Sequence, residues 1–212
     1  MNITKFGHSC LLIEEGGVRF LIDPGKYSTL QNEVKNLDAI LITHEHLDHT
    51  DPESIKIILE NNPGTKIYTN KGVGKVLAEN GIVFELLEHG QSTTVKNVLI
   101  EAFGKKHAVI HPDLPIVDDT GYMIAEKFFY PGDAWHIPPK PVEILALTLY
   151  APWTTFAQTI DYARNLKPKV CFPVHDSVFK FQGFIYQLAP ELLKDFGIVF
   201  KILEEGKEHD FI

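Results

Sequence analysis

A mixed α/β sandwich is the fold class this sequence predicts, and three observations predict it. Strand-like segments outnumber helix-like ones, some strands arrive as hairpins, and others alternate with helices in βαβ order. A purely parallel, doubly wound sheet would lack the hairpins.

The elements follow in order. Apolar segments 11–14 and 18–22 flank Glu15-Gly16-Gly17, where glycine reaches positive φ and closes a hairpin. Asp23-Pro24-Gly25 stops the second strand, and Asp38-Ala39-Ile40-Leu41-Ile42-Thr43 reads as a buried strand. A loop rich in His and Asp comes next. Thr50 and Glu53 then have capping-box spacing, and Pro52 suits the first turn of a helix that carries Ile55, Ile58 and Leu59. Asn61-Asn62-Pro63-Gly64 ends it. Strand 66–69, helix 71–80 and strand 83–87 continue the alternation. From 92 to 130 the pattern changes to strands joined by turns, including 98–103 and 122–125. A strand over 143–148 precedes a helix over 154–166 with Phe156, Ile160, Ala163 and Leu166 on one face. Strand 170–174, helix 185–194 and strand 198–203 complete the series. With no repeat or linker, residues 1–212 read as a single domain.

Composition narrows the function. The 212 residues hold 44% hydrophobic and 23% charged residues, as a globular chain does. A net charge of −8 argues against general nucleic-acid binding, which requires clustered Lys and Arg. Two cysteines, Cys10 and Cys171, exclude a disulfide scaffold and favour a reducing compartment. The N-terminal residues lack the pattern of a secretory signal, and no apolar stretch approaches bilayer length, so a cytoplasmic protein without a membrane partner is expected. A homo-oligomer is compatible with all of this.

The informative segment is Thr43-His44-Glu45-His46-Leu47-Asp48-His49-Thr50. In extended chain, residues two apart point the same way, so His44 and His46 can grip one metal. As the chain turns, Asp48 and His49 project elsewhere and can reach a second. Imidazole and carboxylate suit zinc, manganese or iron. The alternative is a polar loop that happens to be rich in histidine.

At this point the chain resembles the metallo-β-lactamase fold hydrolases, and within them the small branch of ascorbate-6-phosphate lactonase-like proteins. The resemblance runs through Phe6-Gly7-His8-Ser9-Cys10, Leu21-Ile22-Asp23-Pro24-Gly25, the His44 to His49 loop, Phe103-Gly104-Lys105-Lys106-His107, Tyr130-Pro131-Gly132-Asp133 and Phe172-Pro173-Val174-His175. It implies a four-layer αββα sandwich with mixed sheets. It also implies one metal on His44, His46 and His107, a second on Asp48, His49 and His175, and Asp133 bridging them. Two divalent ions are expected, zinc first, with manganese or iron as alternatives. His111 competes with His107 for the third-histidine position, and strand spacing from Val98 favours His107.

The implied function is a metal-dependent hydrolase that uses a dinuclear metal-bound hydroxide to cleave a small ester, lactone or amide. Phosphodiesterase or nuclease chemistry on the same pair is the alternative. Redox chemistry at two irons and a non-catalytic metal sensor rank below these. Asp48 is expected to orient the hydroxide and pass on its proton, a general acid–base role. His8 is expected to line the site, and His136 to protonate a leaving group. Asp23 is expected to orient a ligand imidazole, and Trp135 and Trp153 to shape an apolar pocket. Lys105, Lys106 and Lys140 are candidates for an anionic group on a small-molecule substrate. Asp113, Asp118 and Asp119 read as a solvated loop, His89 and His209 as surface residues, and Cys10 as packing.

Overall fold

The computed structural model describes residues 1–178 and 183–211. Strands β1 (Asn2–Lys5), β2 (Leu11–Glu15), β3 (Val18–Ile22) and β4 (Ala39–Ile42) precede helix α1 (Pro52–Asn61), strand β5 (Lys66–Thr69), helix α2 (Lys71–Glu79) and strand β6 (Glu85–Leu86). There follow β7 (Ser92–Val95), β8 (Val98–Phe103), β9 (Gly121–Ile124), β10 (Phe128–Tyr130), β11 (Ile144–Thr148) and α3 (Phe156–Leu166). Strand β12 (Val170–Val174), helix α4 (Gly183–Leu193) and strands β13 (Val199–Phe200) and β14 (Glu208–Asp210) complete the chain.

Among the described residues the strands form two mixed seven-stranded sheets, ordered β14-β1-β2-β3-β4-β5-β6 and β13-β12-β11-β10-β9-β8-β7. Alternation along the strands builds the layers. Leu11, Ile13, Phe20, Ile22 and Leu41 face Ile100, Tyr122, Phe128, Ala146 and Phe172 across the central core. The intervening Leu12, Leu21, Ile40 and Ile42 pack outward on Ile55 and Ile58 of α1 and Val73 and Leu77 of α2. On the other sheet Met123, Phe129, Leu145 and Leu147 pack on Ile160 and Ala163 of α3 and Leu193 of α4. The result is an αββα sandwich. No helix among the described residues is long and apolar enough to cross a membrane.

This topology places the site. β3, β4 and β5 are mutually parallel in one sheet, and β10, β11 and β12 in the other. The turns after their carboxyl ends form one rim, the usual location for ligands in open α/β sheets.

The structure departs from the sequence expectation at several element ends. Thr50 does not cap α1: its N-cap is Asp51, without a side-chain cap bond. The Thr50 hydroxyl instead donates to the His44 carbonyl at 2.6 Å and tightens the His/Asp loop. The strands expected over 83–87 and 198–203 shrink to β6 and β13, and Val83, left outside β6, faces solvent. Thr155 does cap α3, in a capping box with Gln158. The edge strand β14 and its neighbour β1 lack a clear apolar alternation. They pair with each other near the two ends of the chain.

Candidate metal centre

The His/Asp loop leaves β4 and turns sharply. The backbone N–H groups of His49 and Thr50 both donate to the His46 carbonyl, at 2.9 and 2.8 Å. The turn spreads the imidazoles into two adjoining groups that meet where the His44 and His49 rings lie 3.9 Å apart. His44 and His46 lie with His107, with ring centroids 4.7–5.0 Å apart. On its other side His49 stacks towards His175, 5.4 Å away. The carboxylate of Asp48 joins this second group, 3.1 Å from His175 Nε2. Gly25 allows the turn to sit this close to the end of β3, since a Cβ there would lie 1.9 Å from the Asp48 carbonyl oxygen.

Three further segments complete the cluster. His107 follows β8 and is held by Val117, whose carbonyl accepts from its backbone N–H at 3.1 Å. His175 ends β12 with φ of 61°, a strained left-handed conformation fixed by a 2.7 Å bond from its N–H to the His8 carbonyl. Asp133 follows β10 and lies between the two groups. Its carboxylate oxygens are 3.6 Å from His107 Nε2, 3.7 Å from His49 Nε2 and 3.2 Å from His175 Nε2.

The Nδ1 atoms of four imidazoles are tied down from behind. His49 Nδ1 donates to Asp23 Oδ2 at 2.7 Å, His107 Nδ1 to the Ala108 carbonyl at 2.5 Å, and His175 Nδ1 to the Tyr150 carbonyl at 2.6 Å. His44 Nδ1 is shared between Thr43 Oγ1 at 3.0 Å and Asp119 Oδ2 at 3.2 Å. With a proton held on each Nδ1, loss of any second ring proton leaves the lone pair on Nε2, facing inward. Nε2 of His44, His49, His107 and His175, together with Asp133 Oδ1, is buried without a hydrogen-bond partner. Proteins rarely leave even one such acceptor unsatisfied. Five of them, converging between ordered ring orientations, fit a divalent cation site.

The electrostatics fit as well. Burial, together with the neighbouring imidazoles of His44 and His107, pushes His46 down to about 4, so it is neutral at physiological pH and ready to ligate. Burial opposes charge on Asp48, but the adjacent imidazoles of His175 and His8 prevail and hold its carboxyl well below the carboxylate range. Asp133 is lowered likewise, burial being outweighed by His175 and His49.

Residues 2–175 match the family model described as the beta-lactamase superfamily domain, a match that ends on His175. The chain belongs to the metallo-β-lactamase superfamily. Protein Rv0786c of Mycobacterium tuberculosis is 34% identical over 183 residues, covering 84% of this chain and 85% of that one. A UPF0173 metal-dependent hydrolase of Alkaliphilus metalliredigens is 24% identical over 212 residues, covering 92% of each. The solved structure of Igni18, a metallo hydrolase from Ignicoccus hospitalis, superposes with a TM-score of 0.76 at 21% identity, covering 100% of this chain and 99% of its own. The protein is therefore a metal-dependent hydrolase of this superfamily, with a His/Asp cluster able to bind metal.

The other residues singled out from the sequence of this superfamily member are placed as follows. His8 is buried, with Nε2 3.2 Å from Asp48 Oδ2 and Nδ1 2.7 Å from Ser177 Oγ. His136 does not reach the cluster: its Nε2 donates to Asp119 Oδ1 at 3.0 Å. His111 is exposed, and its Nδ1 accepts from the Asp113 N–H, whereas His107 is buried within the cluster. Trp153 donates its indole N–H to Asp133 Oδ2 at 3.0 Å. Trp135 packs on Trp153 and Tyr162, one layer back from the cluster. Lys106 pairs with Asp118, and Lys140 with Glu101 and Glu126. His89 and His209 accept backbone N–H groups elsewhere. Cys10 is fully buried, and burial raises its thiol pKa, as for a packing residue.

Asp119 departs from expectation. Far from being solvated, it is fully buried and joins His44, His136 and the Asp133 backbone N–H. Gly132 permits that last bond, because its φ is 72° and a Cβ there would press to 2.6 Å from Asp119 Oδ2. No local feature separates Asp119 from Asp113 and Asp118 in the sequence.

Proposed function

We propose that the protein holds two divalent ions and hydrolyses a small ester, lactone or amide. His44, His46 and His107 would hold one ion and Asp48, His49 and His175 the other, with Asp133 shared. Zinc is the first choice, since neutral imidazole and carboxylate are its ordinary ligands at catalytic sites, and manganese or iron would fit the same donors. The observation that carries this reading is the set of buried, unsatisfied Nε2 and Oδ1 atoms converging from both sheets.

When bound, such a pair supplies Lewis acidity and brings ionisation of a coordinated water close to neutral pH. The chain's own residues do the rest. Asp48 is ionised, partly exposed and positioned by His8, so it is the group that takes up a proton during attack and returns it to the leaving oxygen or nitrogen. Water adds across the acyl bond, giving a carboxylic acid and an alcohol or amine. Trp153 and Asp119 orient Asp133, and His136 acts behind Asp119 as a positioning residue rather than at the leaving group.

Metal analysis of the wild type and His46→Ala, coupled to a metal-restored esterase screen, tests this reading. The variant is expected to lose metal and turnover while keeping its circular dichroism spectrum, because His46 contributes nothing to the central core. Unchanged metal stoichiometry in the variant would overturn the ligand assignment.

A further inference from the structure

A cavity of about 310 Å³ opens over the cluster, a volume suited to a small organic ligand. Apart from the His and Asp side chains already described, its wall is made by Tyr27, Leu47, Ile110, Pro152 and Trp153. We propose that this wall selects an uncharged substrate carrying an apolar acyl group, seated against Leu47 and Ile110. The inference rests on the hydrolase reading above and names the substrate class for that site.

Three observations carry it. First, no Lys or Arg among the described residues lines the cavity. Lys105 and Lys106 instead line a separate cavity of about 410 Å³ with His89, and Lys106 is already paired with Asp118. Lys140 is bound by two glutamates. A phosphate or carboxylate remote from the reacting carbonyl would therefore lose its hydration without gaining a countercharge.

Second, the wall has few donors to offer. The indole N–H of Trp153 is committed to Asp133, and proline has no N–H. Among the described residues the Tyr27 hydroxyl is the one remaining side-chain donor on the non-ligand part of the wall. Third, Leu47 and Tyr27, each 54% exposed, together present apolar surface at the mouth of this cavity. An acyl chain laid on them would remove that surface from water. Leu47 sits between His46 and Asp48, so contact with it places the acyl group beside the reacting centre.

The test measures binding rather than turnover. Zinc-loaded protein is titrated calorimetrically with straight-chain acyl hydroxamates from acetyl to octanoyl, and with succinyl monohydroxamate as a charged member of intermediate length. Affinity is expected to rise about three- to fourfold per methylene until the cavity is filled, and the succinyl probe to bind more weakly than the butyryl one. In Leu47→Asn and Ile110→Asn, the octanoyl-to-acetyl affinity ratio of each variant is expected to fall towards one. A flat series in the wild type, or preference for the succinyl probe, would overturn the inference and leave the hydrolase reading intact. Failure of every hydroxamate to bind zinc-loaded protein would instead overturn the hydrolase reading, and the inference with it.

Discussion

The indole Nε1 of Trp153 lies 3.0 Å from Oδ2 of Asp133, and the donated hydrogen bond fixes a carboxylate poised between two groups of imidazoles. Outer partners of this kind set the direction of a ligand's lone pairs. Trp153→Phe keeps the ring against His107 and the cavity but removes the donor. Metal affinity, measured by competition with a chromophoric chelator, is expected to fall about 10- to 100-fold with little change in the fold. An unchanged affinity would show that Asp133 is oriented without it.

Asp23 has a comparable role on the other sheet. It ends β3 in the left-handed region, at φ of 46°, and accepts from the Thr43 N–H, the Thr43 hydroxyl and His49 Nδ1 at 2.7–2.8 Å. In Asp23→Asn an NH2 group would replace Oδ2 and face two donors. Urea denaturation of metal-free protein is expected to show a loss of about 1–3 kcal/mol, with less metal retained after reloading. Full stability and full loading together would contradict this account of Asp23.

Protons compete with metal at this centre, and the direction can be worked out. In metal-free protein burial works against charge on His175, but Asp133 and Asp48 outweigh it and push its pKa up to about 10. His49 and His107 move the same way, burial again being overcome by Asp133. His175 therefore carries a second proton at neutral pH that ligation must displace, so metal binding is expected to release protons and to tighten from pH 6 to 8. For the metal-free fold the sign follows from the raised pKa. The His175 contribution is complete below its unfolded value of about 6.5 and is lost as pH rises through about 10. Calorimetry in buffers of different ionisation enthalpy checks the proton release, and identical apparent enthalpies would refute it.

Much of the architecture was legible because layers depend on local alternation. Leu11 and Ile13 point one way and Leu12 the other, whatever the rest of the chain does, and the same logic set His44 beside His46. Element ends were less legible. Thr50 has the spacing of a cap, but its hydroxyl has a closer acceptor in the His44 carbonyl, a competition visible only once the loop is folded.

By itself, then, the sequence determined the layered fold, the divergence of the His44 to His49 loop and the chemical types available to a cation. Only the tertiary structure decided which distant groups meet them. It buried Asp119 against His44 while leaving Asp113 in solvent, and it turned His136 away from the cavity. It also aimed Trp153 at Asp133. The physical reason is that side-chain direction along a strand follows from local backbone geometry. Partnership across two sheets depends on register and on which buried donor finds an acceptor, and neither leaves a trace in local spacing.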